Sequence, residues 1–260
     1  MKHNNPIGIF DSGIGGISIW KEIHQLLPNE STIYLADSKN APYGQKSKQD
    51  IIELCIKNTE LLINKGCKLI VVACNTATTN AIKHLRASYN IPFIGIEPAI
   101  KPAALRTKTK SIGILATKGT LSSELFHSTS ELYSENITIT EQIGKGLVEL
   151  IESGKIESDD MTKLLQDYLN PMLAKNIDYL VLGCTHYPFL INQIKKLVPQ
   201  NITIIDSGKA VAIQVKSILE ANRLKNAKLN NIKHEFYSNM NSSILASFLD
   251  KEYSVSELKF

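Results

Sequence analysis

Two cysteines stand where apolar strands run out. Leu69–Ala73 is a continuous apolar, largely β-branched run that ends at Cys74, and Asn75, Thr76, Thr78 and Thr79 follow with helix-capping chemistry. Tyr179–Leu182 repeats the pattern, leading through Gly183 to Cys184, Thr185 and His186. A thiol at a strand-to-helix junction faces backbone N–H groups and a positive helix end, both of which favour a thiolate. Free cysteines are also among the most buried residues, so either thiol alone reads as packing. Packing does not account for two thiols in matched settings, one in each half of the chain.

The elements that must position them read as α/β. Ile7–Phe10 is a short buried strand that enters the loop Asp11-Ser12-Gly13-Ile14-Gly15-Gly16 and then a helix over Ile17–Leu27. The glycines imply a backbone that a ligand approaches closely. A dinucleotide site is the rival, because Asp37 follows a second strand, Thr32–Ala36. The spacing is Gly-x-Gly-Gly, however, and the Asp11 charge would repel a pyrophosphate. Pro42-Tyr43-Gly44 lies in a loop, Lys39–Lys46, and offers a phenol and an unhindered N–H, or an ordinary turn. Ser47–Lys65 is an amphipathic helix that places Cys55 in the core, and Cys67 reads as packing.

After a strand at Ile91–Ile96, Ser111–Ala116 repeats the Ile-Gly-Ile of the first strand. Gly8 to Gly113 is 105 positions and Cys74 to Cys184 is 110, so the chain reads as two similar halves. Helices are expected at Leu121–Tyr133, Leu147–Ser153 and Asp159–Asn176, the last with a break near Pro171. Ile202–Ile205 is a strand, Lys209–Ala221 a helix, Asn222–Asn231 a polar connection, His234–Tyr237 a strand and Ser242–Leu249 a helix.

With 260 residues, 43% of them hydrophobic, the chain can form one large domain or two ordinary ones. The net charge is +4 and the lysines are scattered, which gives no basic stripe for nucleic acid. No apolar run is long enough for a membrane span, and Met1–Asn5 opens no signal peptide. The four cysteines form no Cys-x-x-Cys pair, which suits reduced thiols in the cytoplasm. His186 beside Cys184 could ligate a metal, but the motifs supply no further His, so no metal is expected. Arg86, Arg106 and Arg223 are the only arginines, and none lies in a motif. Ligand carboxylates would then be held by neutral donors and helix ends.

Phe10–Gly16, Pro42-Tyr43-Gly44, Ala73–Thr78 and Gly183-Cys184-Thr185-His186-Tyr187-Pro188 resemble, in order, the motifs of the glutamate racemases, within the cofactor-independent aspartate/glutamate racemase family. The resemblance runs from Ile7 to about Leu249. It implies two pseudo-symmetric α/β domains with mostly parallel sheets, residues 1–97 with 207–260 and residues 98–206, with the site in the cleft between them. It implies no cofactor, L- or D-glutamate as substrate, and supply of D-glutamate for peptidoglycan. Carried over by position, Cys74 and Cys184 are the catalytic pair, with Asp11 and His186 as proton-handling neighbours. Ser12, Tyr43, Gly44, Asn75, Thr76, Thr117, Thr120, Thr185 and His186 join Asp11 around the substrate. Glu152 matches the acid of the family's Val-Pro-Leu-Val-Glu block, which here reads Val148-Glu149-Leu150-Ile151-Glu152. Gly144-Lys145-Gly146 precedes it where a Cys-Pro is common, and Asn40 stands where an Arg is frequent.

The chemistry fits such a pair. An amino acid's Cα–H is a very weak acid, and inverting the centre needs a base on one face and an acid on the other. By resemblance Cys184 takes the proton from L-glutamate and Cys74 from D-glutamate. An aspartate racemase of the same family and a non-catalytic amino-acid binder are the alternatives, and a homodimer is left open. With the first strand at Ile7, no long N-terminal regulatory extension is expected.

Overall fold

The computed structural model describes residues 3–226, 232–240 and 242–260. In chain order the strands are β1 (Ile7–Asp11), β2 (Thr32–Ala36), β3 (Leu69–Val72), β4 (Phe93–Gly95), β5 (Ser111–Ala116), β6 (Thr138–Ile143), β7 (Tyr179–Gly183), β8 (Thr203–Ile205), β9 (His234–Ser238) and β10 (Val255–Glu257). They form two wholly parallel sheets, ordered β10-β9-β2-β1-β3-β4 and β6-β5-β7-β8. The order 2-1-3-4 of the first sheet recurs as 6-5-7-8 in the second, which is the repeat heard in the two Ile-Gly-Ile segments.

Burial on both faces explains the strands. Ile7, Ile9, Leu69 and Val71 enter one apolar cluster, while Phe10, Ile70 and Val72 enter another, as side chains alternating across a sheet must. Helices Lys48–Asn64 and Asn75–Ser88 cover the second face, and Cys55 and Cys67 are part of that packing. Helices Ile17–Leu26 and Gly208–Ala221 pack together over the first face. That cluster continues through Leu115, Leu147, Leu180 and Ile194, so the two sheets share apolar core. Trp20 stacks on His24 and meets His234, Phe236 and Tyr253 edge-on, which ties the C-terminal strands to the first sheet.

Three expectations change. Pro171 does not break its helix, which runs over Asp159–Leu173; the proline sits in the last turn, beside the buried anchors Leu169 and Met172. The segment expected as one helix from Leu121 is two, Lys118–Leu121 capped by Thr117 and Glu124–Ser134 capped by Ser123. Strands β6 and β10 were not anticipated. Of the polar connection at Asn222–Asn231, residues 227–231 lie outside the described residues.

Candidate active site

In an open parallel sheet, ligands bind beyond the carboxyl ends of the strands, where the strand order reverses. The reversal in the first sheet lies between β1 and β3, and in the second between β5 and β7. Asp11 and Ser12 follow from β1, Cys74 from β3, Thr117 from β5 and Cys184 from β7. Both thiols, with Ser12, Pro42, Tyr43, Gly44, Asn75, Thr76, Thr117, Val148, Thr185 and His186, line one small cavity. Cys74 is 5% exposed and Cys184 is 7% exposed.

On the Cys74 wall the thiol is itself the N-cap of helix Asn75–Ser88. Its Sγ accepts from the Ala77 N–H at 3.5 Å, a place expected for the hydroxyls and amide that follow it. The thiol also contacts Ser12 Oγ at 3.7 Å. Burial pushes the Cys74 thiol well above its ordinary range, and the charge of Asp11 adds to this; the Ala77 N–H and Ser12 pull the other way. Asp11 makes no hydrogen bond to the sulfur. Its carboxylate accepts from the Gly13 and Gly16 N–H groups, both at 3.1 Å, and from Thr185 Oγ1 at 3.3 Å. Burial raises the Asp11 carboxyl, opposed by His186 and assisted by Glu152.

The Cys184 wall carries a chain of titratable groups. His186 Nδ1 lies 3.8 Å from Cys184 Sγ, and Nε2 lies 2.6 Å from Glu152 Oε1. Burial draws the imidazole towards its neutral form, but the bonds to Cys184 and Glu152 outweigh burial, so His186 retains its proton well above the ordinary histidine range. With both ring nitrogens engaged, His186 has no free atom for a metal. Among the described residues no group of three or more His, Cys, Asp or Glu could hold one.

Glu152 Oε1 also accepts from the Ile14 N–H at 2.7 Å, across the cleft from helix Leu147–Glu152 to the glycine loop. The glycines of that loop make room for this contact. A Cβ on Gly13 would lie 1.8 Å from Glu152 Oε1, and one on Gly15 would lie 2.3 Å from His186 Nδ1. At Gly13 and Gly15 this backbone is approached by the opposing wall, through Glu152 and His186.

Hydroxyls and amides complete the cavity. Thr76, Thr117 and Thr120 hydroxyls meet at 2.8–3.2 Å; Thr120 stands behind the other two and does not line the cavity. Asn75 is buried, and neither polar atom of its amide has a partner. An unpaired buried amide facing a cavity is a place for a polar ligand to bind. Tyr43, which the sequence offers to a ligand, lines the cavity with its phenol already engaged by protein groups. It donates to Asp37 at 2.5 Å and accepts from Asn58 at 3.2 Å. Asp37 also accepts from Asn40 and Asn239, so the acid considered for a ribose instead fixes the Tyr43–Gly44 turn. No spacing rule would have found that role.

Residues 7–215 match the Asp/Glu/hydantoin racemase family. A glutamate racemase of Ectopseudomonas mendocina is 47% identical over 220 residues, 84% of each chain. Among solved structures, a glutamate racemase isoform of Bacillus anthracis superposes with TM-score 0.88 at 31% identity, over 99% of this chain and 98% of that one. One from Francisella tularensis, solved with D-glutamate, gives 0.85 at 30% identity over the same shares.

Proposed function

The chain belongs to the Asp/Glu/hydantoin racemase family, and from that premise we propose that it interconverts L- and D-glutamate by proton transfer between Cys74 and Cys184. The observation that carries the reading is the placement of both thiols on the lining of one cavity, at the equivalent strand ends of the two sheets. In one direction the Cys184 sulfur takes the Cα proton, a carbanion forms, and the Cys74 thiol returns a proton to the opposite face. The reverse direction exchanges the roles.

The two walls are not alike. Cys74 is held as a neutral thiol, while Cys184 lies beside a proton-bearing imidazole backed by a carboxylate. That resting arrangement suits Cys184 as base and Cys74 as acid, the L-to-D direction in the family's assignment of sides. Asn75, Ser12, Thr76 and Thr185 supply neutral donors for the carboxylates and the developing charge. Asp11 and Glu152 hold the backbone and the imidazole in place, so Asp11 acts through the loop and not by touching Cys74. The division into 1–97 with 207–260 and 98–206, a cytoplasmic location and supply of D-glutamate to peptidoglycan belong to the same reading. So does independence of any cofactor or metal. Among the described residues no helix is long and apolar enough to cross a membrane.

Optical rotation followed with L-glutamate, and with L-aspartate alongside, tests it. Decay of the L-glutamate signal towards zero, with aspartate much slower, is expected. Preference for aspartate would move the protein to the sister activity, and no change with either would leave a binder.

A further inference from the structure

The two thiols are almost wholly buried at the bottom of their cavity, so substrate must pass through an opening. Beside the inner cavity lies a more open vestibule, lined in part by Pro42, Gly44, Thr117 and Val148, which also line the inner cavity. Its outer rim carries Gln45, Glu149 and two exposed cations, Lys118 and Lys145. Gln45 Nε2 donates to Glu149 Oε1 at 2.6 Å, joining the Tyr43–Gln45 turn to helix Leu147–Glu152 across the mouth. Gly146, at φ +85, opens the same helix and gives the rim a backbone that few side chains tolerate. Among the described residues neither lysine forms an ion pair, so two cations face one carboxylate at the rim.

We infer that this vestibule is the port through which a dicarboxylate reaches the thiols, that Gln45–Glu149 is its latch, and that Lys118 and Lys145 draw the anion in. The choice of a dicarboxylate rests on the proposed function; the port and its charge do not. The latch is solvent-exposed, which limits its strength and lets it open on the timescale of turnover. The lysines act at a distance, so salt must weaken their effect.

Alkylation of the resting protein by two reagents of similar size, neutral iodoacetamide and anionic iodoacetate, tests this. Mass spectrometry reads Cys74 and Cys184 separately from the core thiols Cys55 and Cys67. Gln45→Leu should speed labelling of the active-site thiols about two- to fivefold with both reagents, the share an exposed hydrogen bond gives to the closed state. Lys118→Gln with Lys145→Gln should lower the iodoacetate-to-iodoacetamide ratio, and added salt should bring the unaltered protein to that lower ratio. A structural defect would change both reagents alike and leave the ratio in place. If Gln45→Leu does not speed labelling, or the lysine changes leave the ratio unmoved, the proposal is overturned. Because the readout is labelling, a protein that failed to racemise glutamate would refute the proposed function without touching this result.

Discussion

A single methyl group on Gly13 should disable the Cys184 wall from the other side of the cleft. The backbone there is ordinary, since Gly13 is not among the glycines with positive φ. The cost of alanine is therefore one of space alone, and it falls on the end of the Glu152 side chain. The new Cβ would lie 1.8 Å from Glu152 Oε1, and ordinary contact begins near 3.4 Å, so the oxygen must retreat by about 1.6 Å. That retreat breaks the 2.7 Å bond from the Ile14 N–H and the 2.6 Å bond to His186. A misplacement of this size in a proton-transfer group costs about a hundredfold in kcat. KM should move little, because Asn75 and Thr76 lie on a different element. Racemisation of L-glutamate followed by circular dichroism gives both constants. In a Glu152→Ala background the obstacle is gone, so Gly13→Ala should add almost nothing to the loss already present. Full activity in Gly13→Ala, or losses that multiply in the double variant, would refute the reasoning.

Asn75→Ala should raise KM for glutamate about tenfold or more, the worth of a hydrogen bond to a charged group, and should not lower the melting temperature of the free protein, because neither amide atom has a partner there. Lys68→Met should cost about 3–5 kcal/mol in urea unfolding, because it strands the buried Glu30 carboxylate, now 2.5 Å from Lys68 Nζ. Burial, with His24 assisting, lowers His234 from 6.5 to about 4. A histidine kept neutral by the fold contributes its stability above the unfolded value and loses it as pH falls from about 6.5 towards 4. Thermal unfolding across that range should therefore show a decline that His234→Phe reduces.

The parts that sequence made legible are those with an unambiguous physical signature. Strands buried on both faces, such as β1, β2, β3, β5 and β7, announce themselves as unbroken apolar runs and were placed within a residue of their ends. β6, Thr-Ile-Thr-Glu-Gln-Ile, is an edge strand with no fully buried residue, and β10 is three residues long. Neither has a pattern that stands out from polar loop. The two thiols could be found from local context, because a strand end before a capped helix is written in consecutive residues. Their supports could not. Glu152 meets Ile14 across 138 positions, and Thr185 meets Asp11 across 174. Likewise, the glycines signalled close approach correctly but could not say that Glu152 and His186 were the groups approaching.

The central claim is that the thiols serve opposite faces of one substrate, and single-cysteine variants test it most directly. A substrate with chloride on Cβ needs only one base. The thiolate takes the Cα proton, the electron pair forms the Cα–Cβ double bond, and chloride departs without any proton from the far wall. Chloride release should therefore persist in Cys74→Ser with the L-configured substrate and in Cys184→Ser with the D-configured one, while neither variant racemises glutamate appreciably. Racemisation of glutamate by either variant at the rate of the unaltered protein would contradict the two-thiol account.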